Sequence, residues 1–289
     1  MRRAVVAIDL SAVDEKLLTY LKVHRERLGI GPIAFVHVLP EKFHIYPDDK
    51  IWSPLNPKAM EDILDNIKKS VGRFFDPKDK NTEFQLCKGD PLSELVDYAH
   101  SWEADLVVIG QKSGVKKHGI LAKNLVRNVK CNGLVVPDDR PDDLSHILVP
   151  IDFSRYSAKS LKQALELRGE NEAVKITALH VYELPAMGYY KLSMTERKFR
   201  KGIRENIEDS LRKFVQSQIG EDTDNIQIKA ISRGVPGVSN YLTEYALASN
   251  VDFIVMGAKG HSKIKLMLMG SVTEGVLATG NFFPTLIVK

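Results

Sequence analysis

Ile147-Leu-Val-Pro-Ile-Asp-Phe-Ser154 restates Val5-Val-Ala-Ile-Asp-Leu-Ser11, and the echo continues along the chain. Ala178-Leu-His-Val181 restates Phe35-Val-His-Val38. Gly234-Val-Pro236 stands where Gly89-Asp-Pro91 stood, and Asp252-Phe-Ile-Val-Met-Gly257 where Asp105-Leu-Val-Val-Ile-Gly110 stood. Asp9 and Asp152 are 143 residues apart, as are His37 and His180; Gly89 and Gly234 are 145 apart, and Gly110 and Gly257 are 147 apart. Anchors that keep their order while drifting this little mark duplication of a whole domain with small loop insertions, not a short solenoid repeat. Whatever fold one half takes, the other takes too. Between the copies, Pro137-Asp-Asp-Arg-Pro-Asp-Asp143 carries two prolines and four aspartates and reads as a linker. The domains are therefore expected at 1–137 and 144–289, with 138–143 between them.

Within a copy, short apolar runs alternate with amphipathic stretches. Residues 4–8 form a continuous apolar run of the kind buried on both sheet faces. A helix is expected over 13–28, with Leu17, Leu18, Leu21 and Leu28 on or near one face, halted by Gly29-Ile-Gly-Pro32. A strand follows at 33–39, then an irregular proline-bearing stretch at 40–57. A helix at 58–75 sets Met60, Ile63, Leu64, Ile67 and Val71 at helical spacing. Strands are expected at 82–87, at 106–109 and within 133–137, with a helix at 92–102. In the second copy an excursion at 183–195 precedes a long helix at 196–219. Ile203, Ile207, Leu211, Phe214 and Val215 give that helix an apolar face. Arg197, Lys198, Arg200, Lys201, Arg204, Arg212 and Lys213 make the rest a solvated charged face, or else a surface for an acidic partner. Strands alternating with helices predict an α/β fold of two tandem, doubly wound, parallel five-stranded sheets.

Composition closes several alternatives. A net charge of +4 is too mild to argue for nucleic acid, so no nucleic-acid partner is expected. No apolar stretch approaches the roughly 18 residues that span a bilayer, and the run after Met1-Arg-Arg is too short for a signal-peptide core. A cytoplasmic protein without a membrane partner is expected. Cys87 and Cys131 lack metal-ligand spacing and are expected to be small apolar residues near strand ends. No nucleophile elbow, Walker lysine motif or metal-ligand cluster is present, so neither catalytic residues nor a metal site are assigned.

The stretch that carries chemistry is Gly257-Ala-Lys-Gly260-His-Ser-Lys-Ile-Lys-Leu-Met-Leu-Met-Gly270-Ser271, led into by Phe253-Ile-Val-Met256. Ser271-Val-Thr-Glu274 has the spacing of a helix capping box. A buried strand, a glycine-bearing loop and a helix start make a place where backbone approaches an anion closely. Lys259, Lys263 and Lys265 add positive charge. A surface loop whose glycines merely serve turns fits the same residues. In open parallel sheets ligands sit at the strands' carboxyl ends, where the winding reverses. Asp152 lies at such an end and offers a carboxylate to ribose hydroxyls; capping the following turn is its competing role. His37 and His180 are expected to be core histidines, each with a satisfied hydrogen bond.

Gly257, two residues, Gly260, nine residues, Gly270-Ser271 resembles the phosphate-loop signature of the ATP-binding branch of the universal stress protein family, whose domains are Rossmann-like and related to adenine nucleotide alpha hydrolases. The resemblance implies an adenine nucleotide as ligand, ATP, ADP or AMP, with or without Mg. It places Pro150, Ile151 and Asp152 beside the nucleoside, Val181 against adenine through its backbone, and Met256 near the base. Gly257, Gly260, Gly270, Ser271 and Val272 would surround the phosphates. It implies a regulatory, stress-response binding protein that reports nucleotide occupancy to an unknown partner protein. A slow ATPase and a nucleotide-independent interaction scaffold are the alternatives. Family members pair their last strands, which here implies an internal pseudo-dimer through 133–137 and 284–288, and leaves room for a homodimer.

The first copy departs from the signature. Gly110 remains, Ser113 replaces the second glycine with Gly114 one position late, and Lys123-Asn124 replaces Gly270-Ser271. Asn124 retains helix-capping chemistry, but Arg127 takes the place of Glu274. Lys112, Lys116, Lys117 and His118 keep the loop basic. The first copy is expected not to bind ATP in the family manner.

Overall fold

The computed structural model describes residues 1–40, 57–113, 120–139, 143–185, 195–220, 225–260, 269–278 and 283–289. The chain divides into two compact units, Met1–Asp142 and Asp143–Lys289.

In the first unit β1 (Arg2–Ile8), α1 (Ala12–His24), β2 (Ile30–Leu39), α2 (Pro57–Val71), β3 (Thr82–Lys88), α3 (Pro91–Ser101), β4 (Leu106–Gln111), α4 (Ile120–Asn128) and β5 (Asn132–Pro137) alternate along the chain. The strands lie in the order β3-β2-β1-β4-β5, and each neighbouring pair is parallel. The second unit repeats the plan with β6 (His146–Pro150), α5 (Arg155–Arg168), β7 (Lys175–Glu183), α6 (Glu196–Ile219), β8 (Ile226–Arg233), α7 (Val238–Ala248), β9 (Phe253–Gly257), α8 (Ser271–Ala278) and β10 (Thr285–Val288). Its strands follow the order β8-β7-β6-β9-β10, again parallel.

Burial explains the uninterrupted apolar runs. Val5 and Val6 in β1, and Ile147, Leu148 and Val149 in β6, are fully buried because helices cover both sheet faces. α1 packs on β4 and β5, and α5 on β6, β9 and β10; α3 with α4, and α7 with α8, pair elsewhere on their sheets. An aspartate fastens the centre of each sheet. Asp105, just before β4, accepts the Arg3 N–H at 2.9 Å. Asp252, just before β9, accepts the N–H groups of Ser145 at 3.1 Å and His146 at 2.9 Å.

Helix boundaries differ from the sequence expectation where tertiary context intervenes. α1 stops at His24, and residues 25–29 form hydrogen-bonded turns ending at Gly29, whose φ of 66° is left-handed. Gly31 and Pro32 do not end a helix but belong to β2. The register shifts between Arg2 and Ala4, where β1 meets Ile30 and then Ile33, and that irregularity accommodates a proline with no N–H to give. α2 ends at Val71, and only Ile67 and Val71 of its expected apolar set are buried. α6 spans Glu196–Ile219, the expected range, with Leu211 and Val215 buried. Most of the excursions at 40–57 and 183–195, namely 41–56 and 186–194, falls outside the described residues. No helix among the described residues is long and apolar enough to cross a membrane.

Candidate functional site

The second sheet reverses its winding between β6 and β9, and a cavity of about 350 Å³ opens at their carboxyl ends. That volume lies within the roughly 300–1,000 Å³ of small-molecule sites. Pro150, Ile151, Asp152, Val181, Met256, Gly257, Gly260, Gly270, Ser271 and Val272 all line it. The residues singled out from sequence are thus brought to one place. The cavity also uses residues outside that set of ten. Ser157 comes from the first turn of α5 and Leu179 and His180 from β7. Val238 and Leu242 lie one turn apart on α7, and Lys259 and Thr273 complete the wall.

β9 hands over to α8 through main-chain bonds. The Gly270 N–H donates to the Ala258 carbonyl at 2.7 Å, and the Ala258 N–H to the Val288 carbonyl at 2.8 Å. The Thr273 hydroxyl donates to the Gly257 carbonyl at 2.8 Å. The Glu274 N–H donates to the Gly270 carbonyl at 2.9 Å, so Gly270 holds the N-cap and Ser271 is the first helical residue. The capping box expected at Ser271 is therefore displaced by one residue, because the bond to Ala258 anchors Gly270 at the helix start. Ser271, Val272 and Thr273 then carry the N–H groups that precede the first intrahelical bond and point out of the helix end.

The three glycines of the signature have different reasons to be glycine. A Cβ at Gly257 would stand 2.7 Å from the Tyr156 Cβ and 3.1 Å from both the Tyr156 carbonyl carbon and the Lys259 oxygen. The equivalent Gly110 faces Val13 in the same way, at 2.6 Å from Cγ1. Gly257 is thus required by the packing of α5 over β9. A Cβ at Gly260 would meet the Asp152 carboxylate. At Gly270 the nearest atoms of the described residues are all 3.6 Å away, ordinary contact, so among the described residues no neighbour forbids a side chain there. Gly257→Ala is expected to destabilise the chain by about 1–3 kcal/mol, since backbone must move to admit the methyl group. Gly110→Ala presses on a side-chain methyl of Val13 and on no backbone atom, and should cost less; paired thermal denaturation of the two variants checks this ranking.

Asp152 fills the structural role that competed with ligand binding. Its Oδ1 accepts the Ser154 N–H at 3.0 Å, as Asp9 Oδ1 accepts that of Ser11 at 2.9 Å, while its other oxygen lies against Gly260 in the cavity wall. The histidine rings each bond to a carbonyl, His37 Nδ1 to Ile8 and His180 Nδ1 to Ile151, both at 2.7 Å. A carbonyl only accepts, so in the neutral ring Nδ1 carries the proton and Nε2 keeps a lone pair. On α5 the Arg155 guanidinium donates to the Tyr156 hydroxyl at 3.1 Å and, with Lys259 and Lys159 nearby, holds that phenol below its ordinary pKa. His261, Lys263 and Lys265 lie outside the described residues.

The first unit treats the same place differently. The Ser113 N–H donates to Asp138 at 2.8 Å and its hydroxyl to Asp139 at 2.6 Å, so the loop is drawn to two carboxylates. α4 begins at Ile120, which puts Asn124 inside the helix and not at its cap; the Asn124 carbonyl accepts from Asn128 Nδ2 at 2.7 Å. Gly114, Lys116, Lys117 and His118 lie outside the described residues. Asp14, at the position of Ser157, is buried, and burial together with the neighbouring Asp9 pushes its carboxyl up to about 7. Cys87 and Cys131 are half-buried, one late in β3 and one just before β5, and burial raises the Cys87 thiol.

The sequence profile described as the universal stress protein family matches residues 1–137 and again residues 144–289. The chain belongs to the universal stress protein family. Two universal stress proteins of Methanocaldococcus jannaschii resemble it at 30% identity over 149 residues and 27% over 153; each alignment covers 50% of this chain and 81% and 93% of the relative. A universal stress protein of Bacillus subtilis matches at 30% over 151 residues, covering 50% of this chain and 97% of its own. The crystal structure of a universal stress protein from Archaeoglobus fulgidus superposes with a TM-score of 0.64 over 99% of this chain and 98% of that one. At 17% identity that likeness shows the fold alone. This universal stress protein therefore carries two family domains in tandem, each a doubly wound parallel sheet.

Proposed function

We propose that residues 144–289 bind an adenine nucleotide, ATP or its ADP or AMP relatives, with or without Mg, and that the protein acts as a nucleotide-binding regulator in a stress response. The observation that carries this reading is the convergence of the ten expected site residues, the four of the signature among them, on one cavity at the winding reversal. In this reading Pro150, Ile151 and Met256 flank the base, and the main chain of Val181 faces it. Asp152 accepts from the ribose. The first-turn N–H groups of α8 and the Ser271 hydroxyl meet phosphate oxygens, with Lys259 adding charge. The first unit then holds no comparable site. Nucleotide occupancy changes a surface that a partner protein reads.

Isothermal calorimetry of the full chain with ATP is expected to give one site per chain, abolished in Gly260→Asp, which sets a second carboxylate against Asp152. Two equivalent sites, or tight binding retained in that variant, would overturn the reading. Mass spectrometry of small molecules released from gently purified protein names the nucleotide.

A further inference from the structure

Positions 14 and 157 are equivalents, 143 residues apart like Asp9 and Asp152. The turns before them share an unusual backbone. Each puts the residue after the aspartate in the left-handed region, with φ of 63° at Leu10 and 63° at Phe153. Successive N–H groups around a left-handed residue converge and form a concave seat for an oxyanion. In the first unit that seat is filled from within the chain. The Asp14 carboxylate, on a residue 6% exposed, accepts the Leu10 N–H at 2.7 Å and the Asp9 N–H at 3.4 Å. In the second unit Ser157 takes its place and turns its hydroxyl to the Ser154 carbonyl at 2.9 Å. Among the described residues, neither the Asp152 N–H nor the Phe153 N–H meets an acceptor. Asp152 and Ser157 both line the cavity, so the vacated seat opens into it.

We propose that the turn between β6 and α5 is a seat for an oxyanion, held by the main-chain N–H groups of Asp152 and Phe153, and that Asp14 is the built-in occupant of the equivalent seat in the first unit. The proposal deepens the nucleotide reading and rests on it only in that the anion arrives through the same cavity. The helix start alone does not carry it. The independent observation is the second copy of the turn, in which the equivalent N–H groups already hold a carboxylate. A guest in the second unit sits beside the Asp152 carboxylate, as Asp14 sits beside Asp9, and so needs cations nearby. Lys259, in the wall of the same cavity, supplies one. The chemistry admits two sources, a phosphate oxygen of the bound nucleotide or a free oxyanion such as inorganic phosphate.

The test is a nuclear magnetic resonance titration of the ¹⁵N-labelled full chain with inorganic phosphate and, separately, ATP. The amide signals of Asp152 and Phe153 are expected to move, while those of Asp9 and Leu10 stay. Movement with phosphate alone assigns the seat to a free oxyanion, and movement with ATP alone to the nucleotide's own phosphate; either supports the seat. Ser157→Asp is expected to shift both amides before any ligand is added and to weaken the response to the probe roughly tenfold or more, the equivalent of one charged hydrogen bond. Asp14→Ser should make the Leu10 amide respond to phosphate, and this arm stands even if Ser157→Asp fails to fold. Calorimetric ATP binding with the Asp152 and Phe153 amides unmoved by either probe overturns the seat and leaves the nucleotide reading intact. Phosphate that moves those amides in a chain that does not bind ATP does the reverse.

Discussion

Gly270→Val is expected to weaken ATP binding by roughly a hundredfold or more while leaving circular dichroism and thermal stability close to wild type. The variant separates a ligand requirement from a folding requirement. The Gly270 N–H is already used by Ala258, so this residue is no phosphate donor; what it contributes is the absence of a side chain at the cavity wall. Its nearest neighbours among the described residues leave ordinary contact distance, so a Cβ there disturbs none of their packing. A branched side chain at the N-cap would instead stand before the N–H groups of Ser271 and Val272. Losing two charge-assisted bonds at about 1.5–3 kcal/mol each gives the stated factor. Calorimetry on the purified variant decides it. Unchanged affinity in a folded chain would show that phosphate does not approach this helix start.

The second large effect is on stability and lies in the first unit. Asp14 titrates near 7 in the folded chain against its ordinary 3.8, because burial, and then Asp9, disfavour its charge more than the Leu10 and Asp9 N–H groups favour it. The folded state therefore binds this proton more tightly than the unfolded one. The resulting stability is fully present below about pH 4 and is lost as pH rises through about 7. The shift corresponds to up to about 4 kcal/mol at 1.36 kcal/mol per unit. Asp14→Asn cannot ionise, so it should flatten that dependence and protect β1 and α1 better than wild type at pH 8. Native-state hydrogen exchange on the full chain, comparing variant and wild type at pH 5 and pH 8, reads this locally without assuming that both units unfold together. An identical pH dependence in the two proteins would show that Asp14 titrates as an ordinary carboxylate.

The parts of this molecule that could be read from sequence are those in which repetition and periodicity speak together. Asp9 with Asp152, Gly110 with Gly257 and the paired apolar runs were enough to place ten strands and a winding reversal. The long amphipathic period of α6 placed that helix without error. Helix starts were less legible, because capping residues name candidates and tertiary bonds choose among them. Gly270 displaced Ser271 by one residue through its bond to Ala258, and α4 begins at Ile120, a turn ahead of Asn124. Val238 and Leu242 could not be told from ordinary core residues, since an apolar pair one turn apart on a helix serves either purpose. The exchange of Asp14 for Ser157 was visible in the aligned copies. Nothing in one dimension says that a side chain in a helix's first turn folds back onto the turn before it.

The fastening of Asp105 to Arg3 and of Asp252 to His146 has a consequence for synthesis on the ribosome. The two partners are 102 residues apart in the first case and 106 in the second. The opening strand of each unit lies at the sheet's centre, yet until the fourth strand has emerged it has a neighbour on one side only. A nascent chain must therefore carry an apolar strand with an open edge through most of a domain's translation, the circumstance in which non-local pairing is slow and association between chains competes with it. Chaperone demand during translation should peak just before residues 106–111 and again before 253–257 leave the exit tunnel. Ribosome-bound chains truncated on either side of those points would differ sharply in protease resistance.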